Sequence, residues 1–408
     1  MAAQQFNDTA QDNPALCRVI AQRIAEAPQQ RITFAEYMDL VLYHPKQGYY
    51  ATNQVNIGEQ GDFFTSPHLG ADFGELLAEQ FVQMWEWLDR PNPFTLVEMG
   101  AGQGLLAHDI LRYLHRSHFA CFEAIDYLII EKSSALRAEQ QNQLQPLVSL
   151  GGCITWQGWD DIPRHSIVGC CFSNELVDAF PVHQVAIDSG QLREVYVTTS
   201  NQQDTETSLP RFVEVLGEPS TPDLAAYFGL VGVNLSSAAY PDHYRSEVNL
   251  AALHWMKTVA DRLSTGYLLT IDYGYPAARY YSPARSQGTL QCYYQHSHHS
   301  DPYCNVGLQD LTAHIDFTAL ERQGERCGLQ TVGFTQQGLF LMALGLGDRL
   351  LALSQPTPDL TLQTILHRRE ALHSLMSPTG LGNFGVLIQS KGVKAGRSLK
   401  GLQVPPLA

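Results

Sequence analysis

The stretch that decides the fold is Leu96-Val97-Glu98-Met99-Gly100-Ala101-Gly102-Gln103-Gly104-Leu105-Leu106. An apolar run ends in an acid, passes three glycines at alternate positions and enters a helical pattern. Glycine at a strand end lets the chain turn tightly and lets a ligand touch the backbone, with the amides of the following helix aimed at it. A nucleotide P-loop closes on Gly-Lys-Ser/Thr, but this loop closes on Gly104-Leu105-Leu106. The dinucleotide fingerprint requires a glycine where Leu105 stands, which weakens an NAD-linked oxidoreductase.

Outward from this loop, strand-like runs alternate with helical ones. The runs are 94–100, 125–131, 153–156, 166–175, 266–274 and 329–335, with helices over 104–116, 133–144, 248–263 and 317–327. Strands separated by helices predict an α/β fold, a parallel sheet covered on both faces. Residues 117–123 are expected as an extra loop, 183–199 as a hairpin turning at Ser189-Gly190, and 383–391 as a last strand. The predicted organisation is an N-terminal helical cap over 1–90, a core over 91–390 with an insertion at about 183–245, and a basic, solvated tail over 391–408.

Of 408 residues, 44% are apolar, enough for a sizeable core. Neither an 18-residue apolar run nor a basic or Arg-rich leader is present, so a cytoplasmic protein with no membrane insertion is expected. Lys and Arg number 26 against 41 Asp and Glu, and a net charge of -15 disfavours a nucleic-acid partner. The tail cations Lys391, Lys394, Arg397 and Lys400 are the only positive cluster. Eight cysteines without a C-x-x-C pair predict free thiols in a reducing compartment. Gln295-His296-Ser297-His298-His299, with Cys292 and Cys304 nearby, matches no zinc spacing, and no metal is expected.

The remaining pattern, acid-x-G-x-G-x-G, resembles the cofactor loop of class I S-adenosylmethionine (SAM) methyltransferases. That cofactor has no pyrophosphate; its methionine end carries a carboxylate and an ammonium. Glu131 closes the next strand, where an acid accepts hydrogen bonds from ribose hydroxyls. It stands 33 residues after Glu98, beyond the ~20 of a minimal unit.

Longer motifs sharpen the resemblance. YMDLVLYHPKQGYY (37–50), GDFFTSP (61–67), FGELLAEQ (73–80), VEMGAGQG (97–104), SNELVDAFPVHQ (173–184), TIDYG (270–274), GTLQCYYQH (288–296) and DLTAHIDF (310–317) resemble the MidA-type SAM-dependent methyltransferases. These are relatives of a mitochondrial complex I assembly-factor arginine methyltransferase. Two departures stand out: His68-Leu69-Gly70 follows TSP, and Val306 precedes Gly307 where the family has proline.

The resemblance implies a Rossmann-like core that uses SAM. Glu98, Gly100, Gly102 and Gly104 would hold the methionine portion and Glu131 the ribose. Thr65, Ser66 and Pro67 would form a loop over the cofactor, and Asp160 would meet the adenine unless it belongs to a solvated turn. It also implies symmetric arginine dimethylation of a protein subunit of a respiratory or NDH-type complex. For such an acceptor, Glu175 is the expected guanidinium clamp, with Asp178 as its partner and Asn174 as an orienting donor. Asp178 also reads as a helix cap. His314 would serve as a base for a hydroxyl acceptor, and Asp316 reads as a helix N-cap. Transfer to a small molecule or another side chain stays open, as does a non-catalytic SAM-binding assembly factor.

Overall fold

The computed structural model describes residues 12–51, 65–200, 209–295, 297–355, 361–394, 396 and 398–404. Gly61–Phe64 of the GDFFTSP motif, part of the insertion, His296 and Arg397 lie outside them. The chain forms two compact units, each threaded from three segments. One comprises 1–63, 179–251 and 277–314; the other comprises 64–178, 252–276 and 315–408. This corrects the expected division at residue 90. Residues 64–90 join the core, and the N-terminal helices share a unit with the insertion and with 277–314.

The second unit holds a seven-stranded sheet. Its strands are β1 (Phe94–Met99), β2 (Ile125–Ile130), β3 (Cys153–Trp156), β4 (Ile167–Asn174), β5 (Leu263–Asp272), β6 (Gln330–Gln336) and β7 (Gly385–Lys391). They lie in the order β6-β7-β5-β4-β1-β2-β3. Every neighbouring pair from β5 to β3 is parallel, whereas β7 runs antiparallel to both β5 and β6. Strand order reverses between β1 and β4, so the crevice at their carboxyl ends is the place where such sheets take ligands. Met99, the last residue of β1, registers with Ser173 of β4. The glycine loop and the Asn174-Glu175 turn therefore leave the sheet side by side.

Helices α1 (Asp72–Trp87), α2 (Leu105–Ser117), α3 (Ser134–Ser149), α4 (Phe317–Arg326) and α5 (Gln337–Leu344) belong to this unit. Phe73, Leu77 and Phe81 of α1 and Ile110 and Leu114 of α2 are fully enclosed with Leu96, Tyr127 and Cys170 from the strands. Strands covered this way can be apolar along both faces, which explains the uninterrupted runs in the sequence. Between α2 and β2, where an extra loop was expected, Phe119–Ala124 is a short helix that buries Cys121 and Phe122.

The tail differs more. Lys391 is the end of β7, and its ammonium donates to Ala260 O. Leu399 is fully buried, and the backbone N–H groups of Lys400 and Gly401 donate to Gln83 and Gln80 of α1. An apolar residue with two capped amides docks the segment, and its lysines mislead.

In the first unit, Ile32–Thr33, Gln191–Thr199, His183–Asp188, Arg245–Val248 and Phe212–Gly217 form a five-stranded sheet. The 183–199 hairpin turns at Ser189-Gly190 as expected, with both residues at positive φ. Helices Pro14–Glu26 and Phe34–Tyr43 pack a separate core with Val197, Phe212 and Leu311. Asp12 accepts from Val306 N, pinning the loop that departs from the family at Val306. Ser297–His299 is a strand edge; Cys292 is buried, and Cys304 Sγ lies 3.8 Å from His299 Nε2. Among the described residues no group of three or more His, Cys, Asp or Glu side chains is arranged to hold a metal ion, and no helix is long and apolar enough to cross a membrane.

Candidate active site

The site is built from three turns of the sheet unit. In the first, Gly100, Gly102 and Gly104 all adopt positive φ, at 72°, 52° and 82°. L side chains avoid this region. Gly100 has a further reason, since a Cβ there would meet Leu176 Cδ1 at 2.7 Å. At Gly102 a Cβ would meet nothing within 4 Å, so the loop backbone borders open space. Gly104 is the N-cap of α2 and supplies no side-chain cap, leaving first-turn amides for a ligand carboxylate. At its three glycines the loop presents bare backbone, which fits the amino-acid end of SAM.

The acids around the loop have distinct settings. Glu98 is 3% exposed and accepts from Tyr127 OH at 2.7 Å. Burial raises its pKa to about 7, partly offset by that hydrogen bond. Glu131 sits just beyond β2, and Ser133 N donates to its Oε1 at 2.8 Å. Burial raises its pKa too. Gln140 of α3, completely buried, donates both to Glu131 Oε2 at 3.2 Å and to Gly102 O at 2.8 Å. Its own oxygen accepts from Trp156 Nε1 at 2.9 Å.

The second turn begins at Thr65 and continues as the 3-10 segment Ser66–Leu69, which includes Pro67. Thr65 Oγ1 is 2.7 Å from His68 Nδ1, and His68 Nε2 is 3.2 Å from Gln103 Oε1 in the glycine loop. Burial lowers the His68 pKa, which keeps the ring neutral. The residue that departs from the family is thus the one that ties this turn to the loop. Ser66 N donates to Glu175 Oε1 at 3.4 Å, and Gln337 Nε2 of α5 donates to Ser66 Oγ at 3.1 Å.

The third turn follows β4. Asn174 Nδ2 donates to Glu175 Oε1 at 3.0 Å. Glu175 holds a φ of 50°, a strained value for a non-glycine residue. Its carboxyl is crowded from water, and that desolvation, reinforced by the charge of Asp178, raises its pKa to about 8. Asp178 is 6% exposed on the 3-10 turn Val177–Ala179. The carboxylate that caps this turn is Asp272, whose Oδ2 accepts from Val177 N at 3.0 Å and Asp178 N at 3.3 Å. Asp272 is fully buried at the end of β5, and burial plus the charges of Asp178 and Glu175 push its pKa well up. Ser173 Oγ and Asn174 Oδ1 are buried with no hydrogen-bond partner among the described residues.

Glu98, the three glycines, Glu131, Thr65, Ser66, Pro67, Asn174, Glu175 and Asp178 thus lie in one unit, in the strand ends of its sheet and the turns beside them. Asp160 is exposed on the turn Trp159–Asp161, which is closed by Asp161 accepting from Gly158 N. Asp316 is the N-cap of α4, accepting from Thr318 N and Ala319 N. His314 belongs to the other unit, where its backbone N–H donates to Thr289 Oγ1 and burial lowers its pKa to about 4.

Sequence reasoning overlooked two residues, Gln140 and Asp272. Gln140, Leu144 and Leu147 share the buried face of α3 at helical spacing, so the polar member of an apolar stripe was the available signal. Asp272 ends an apolar strand run, the same signal that singled out Glu131.

Residues 76–335 match a family described as "Putative S-adenosyl-L-methionine-dependent methyltransferase". The chain is 30% identical over 333 residues to the protein arginine methyltransferase NDUFAF7 homolog, mitochondrial, of Drosophila melanogaster, covering 77% of this chain and 71% of that protein. It is 28% identical to the human protein arginine methyltransferase NDUFAF7, covering 90% and 82%. A crystal structure of a Burkholderia thailandensis protein bound to S-adenosyl-homocysteine superposes with a TM-score of 0.82 at 31% identity, covering 95% of this chain and 94% of that one. With a glycine-lined cradle at the switch point of the sheet, the chain belongs to this family of SAM-dependent methyltransferases, and SAM is its cofactor.

Proposed function

We propose that the chain is a protein-arginine N-methyltransferase that symmetrically dimethylates a subunit of a respiratory or NDH-type complex I, acting in the cytoplasm. The observation that carries this reading is the convergence of three carboxyl groups, Glu175, Asp178 and Asp272, beside the glycine loop. The names of the relatives support an arginine acceptor, and eight free cysteines agree with a reducing compartment.

Guanidinium stays protonated and planar, so its nitrogen becomes nucleophilic only where carboxylates pair with the fork and localise its electrons. Glu175 is the clamp, Asp178 its partner, and Asn174 fixes the Glu175 carboxyl by its 3.0 Å donor contact. Bound in the cradle, SAM supplies an electrophilic methyl on a sulfonium sulfur. A guanidino nitrogen attacking that carbon would leave the C–S electron pair on sulfur, and Glu175 would take the proton that the nitrogen gives up. Most of the acceleration comes from holding the nitrogen close and in line.

The test is incubation with methyl-labelled SAM and a cell extract, then mass spectrometry of the labelled products, with Gly102→Val as the blank. Symmetric dimethylarginine in a respiratory-complex subunit is the expected product. Label in a small molecule or on another side chain overturns the arginine reading. Absence of label alongside intact S-adenosyl-homocysteine binding points to a non-catalytic assembly factor.

A further inference from the structure

We propose that Gln140 is a positioning residue for the cofactor, a strut that makes the glycine loop and Glu131 one rigid receptor. The inference rests on the cofactor lying across that loop and that carboxylate. Gln140 has no exposed surface, and each of its polar atoms is engaged. The orientation of its amide is forced. Indole Nε1 only donates, so the amide oxygen must face Trp156, and the NH2 must face the two acceptors, Gly102 O and Glu131 Oε2. One side chain therefore ties the ends of three consecutive sheet strands, through the loop after β1, Glu131 after β2 and Trp156 in β3.

The contact is steric as well as polar. A Cβ on Gly104 would lie 3.4 Å from Gln140 Cα and Cγ, so loop and helix already touch. With Ser133 N on Oε1 and Gln140 on Oε2, both Glu131 oxygens are fixed from the protein side. Their remaining lone pairs are left for the ribose hydroxyls. A carboxylate fixed beforehand gives up less freedom on binding, which is the physical content of preorganisation.

Calorimetry with two probes tests this: S-adenosyl-homocysteine and its analogue lacking both ribose hydroxyls. The wild type should prefer the former. Gln140→Met, similar in volume, should weaken S-adenosyl-homocysteine about tenfold and shrink the preference between the probes, because Glu131 loses its fixed orientation. Gln140→Glu, nearly identical in shape, should be worse, since it sets a carboxylate against two acceptors. Loss of packing alone would weaken both probes equally, so an unchanged preference overturns the inference. Should Gln140→Met fold poorly, Trp156→Phe removes only the donor that fixes the amide and should shift the preference the same way; a wild-type preference there also overturns it. Glu131→Ala separates the two levels. If it retains wild-type affinity, the cofactor placement fails and the inference with it. If it is weak while Gln140→Met is not, the inference alone fails.

Discussion

The two halves of the site solve opposite problems. Around Gly102 and Glu131 the key polar atoms are paired within the protein: Gln140 and Ser133 donate to the Glu131 carboxylate, Gln140 donates to the loop carbonyl and accepts from Trp156, and the loop meets open space at Gly102 with bare backbone. Around Glu175 the chain gathers carboxyl groups whose charges raise the pKa of Glu175 and of Asp272, holds Glu175 at a strained φ, and leaves Ser173 Oγ and Asn174 Oδ1 buried without partners among the described residues. The first half is complete before its ligand arrives. The second half is frustrated, and a cation is what relieves it. The contrast teaches that cofactor binding and turnover should respond to different mutations.

Glu175→Gln should break turnover by about 10³-fold, as expected for removing a group that acts on developing charge, while S-adenosyl-homocysteine affinity stays near wild type. Full activity in that variant removes Glu175 from the chemistry. Gly102→Val should do the reverse, weakening S-adenosyl-homocysteine about 100-fold, or roughly 2.7 kcal/mol. A Cβ there meets no protein atom within 4 Å, so the main cost to stability is the positive φ, about 1–2 kcal/mol. Calorimetry and a thermal melt on the same sample check both halves of that statement.

Asp272→Asn should lower turnover by about tenfold through the Val177–Ala179 turn it caps, with cofactor affinity unmoved. Equal loss of both would dissolve the contrast. The smallest effect is on pH. Folded Glu175 binds its proton more tightly than the unfolded chain does, with a pKa of about 8 against 4.5. As pH rises past 4.5 the unfolded chain releases this proton first, so the unliganded protein loses stability up to about pH 8. Glu175→Gln should flatten that decline by a few degrees in Tm. An arginine peptide, which needs the ionised carboxylate, should bind more tightly across the same interval.

Much of this was legible beforehand. The apolar runs located all seven strands, and the central ones are uninterrupted because a sheet covered on both faces has no polar side there. Glycines at 100, 102 and 104 located the cradle because φ near 50° to 80° leaves few alternatives. What stayed hidden was long-range pairing. Nothing local distinguishes Gln140 from Gln141 or Gln143 except a place on the apolar face of α3, and the target of that amide depends on where β1 and β3 lie. The docked tail eluded composition for the same reason: four cations suggested solvent, whereas the burial of Leu399 is decided by α1. Asp178 looked like a cap because it starts a turn, yet the capping oxygen comes from β5.

The strand β7 sets the order in which this enzyme can be made. It is the last of the seven to leave the ribosome, but it lies between β5 and β6, registering Gly266 against Lys391 on one side and Gln330 against Ser390 on the other. Until it arrives, β6 has no neighbour through which to join the sheet. Until β7 is made, the sheet therefore carries an unfinished edge along β5, an unpaired row of backbone groups that the last strand closes.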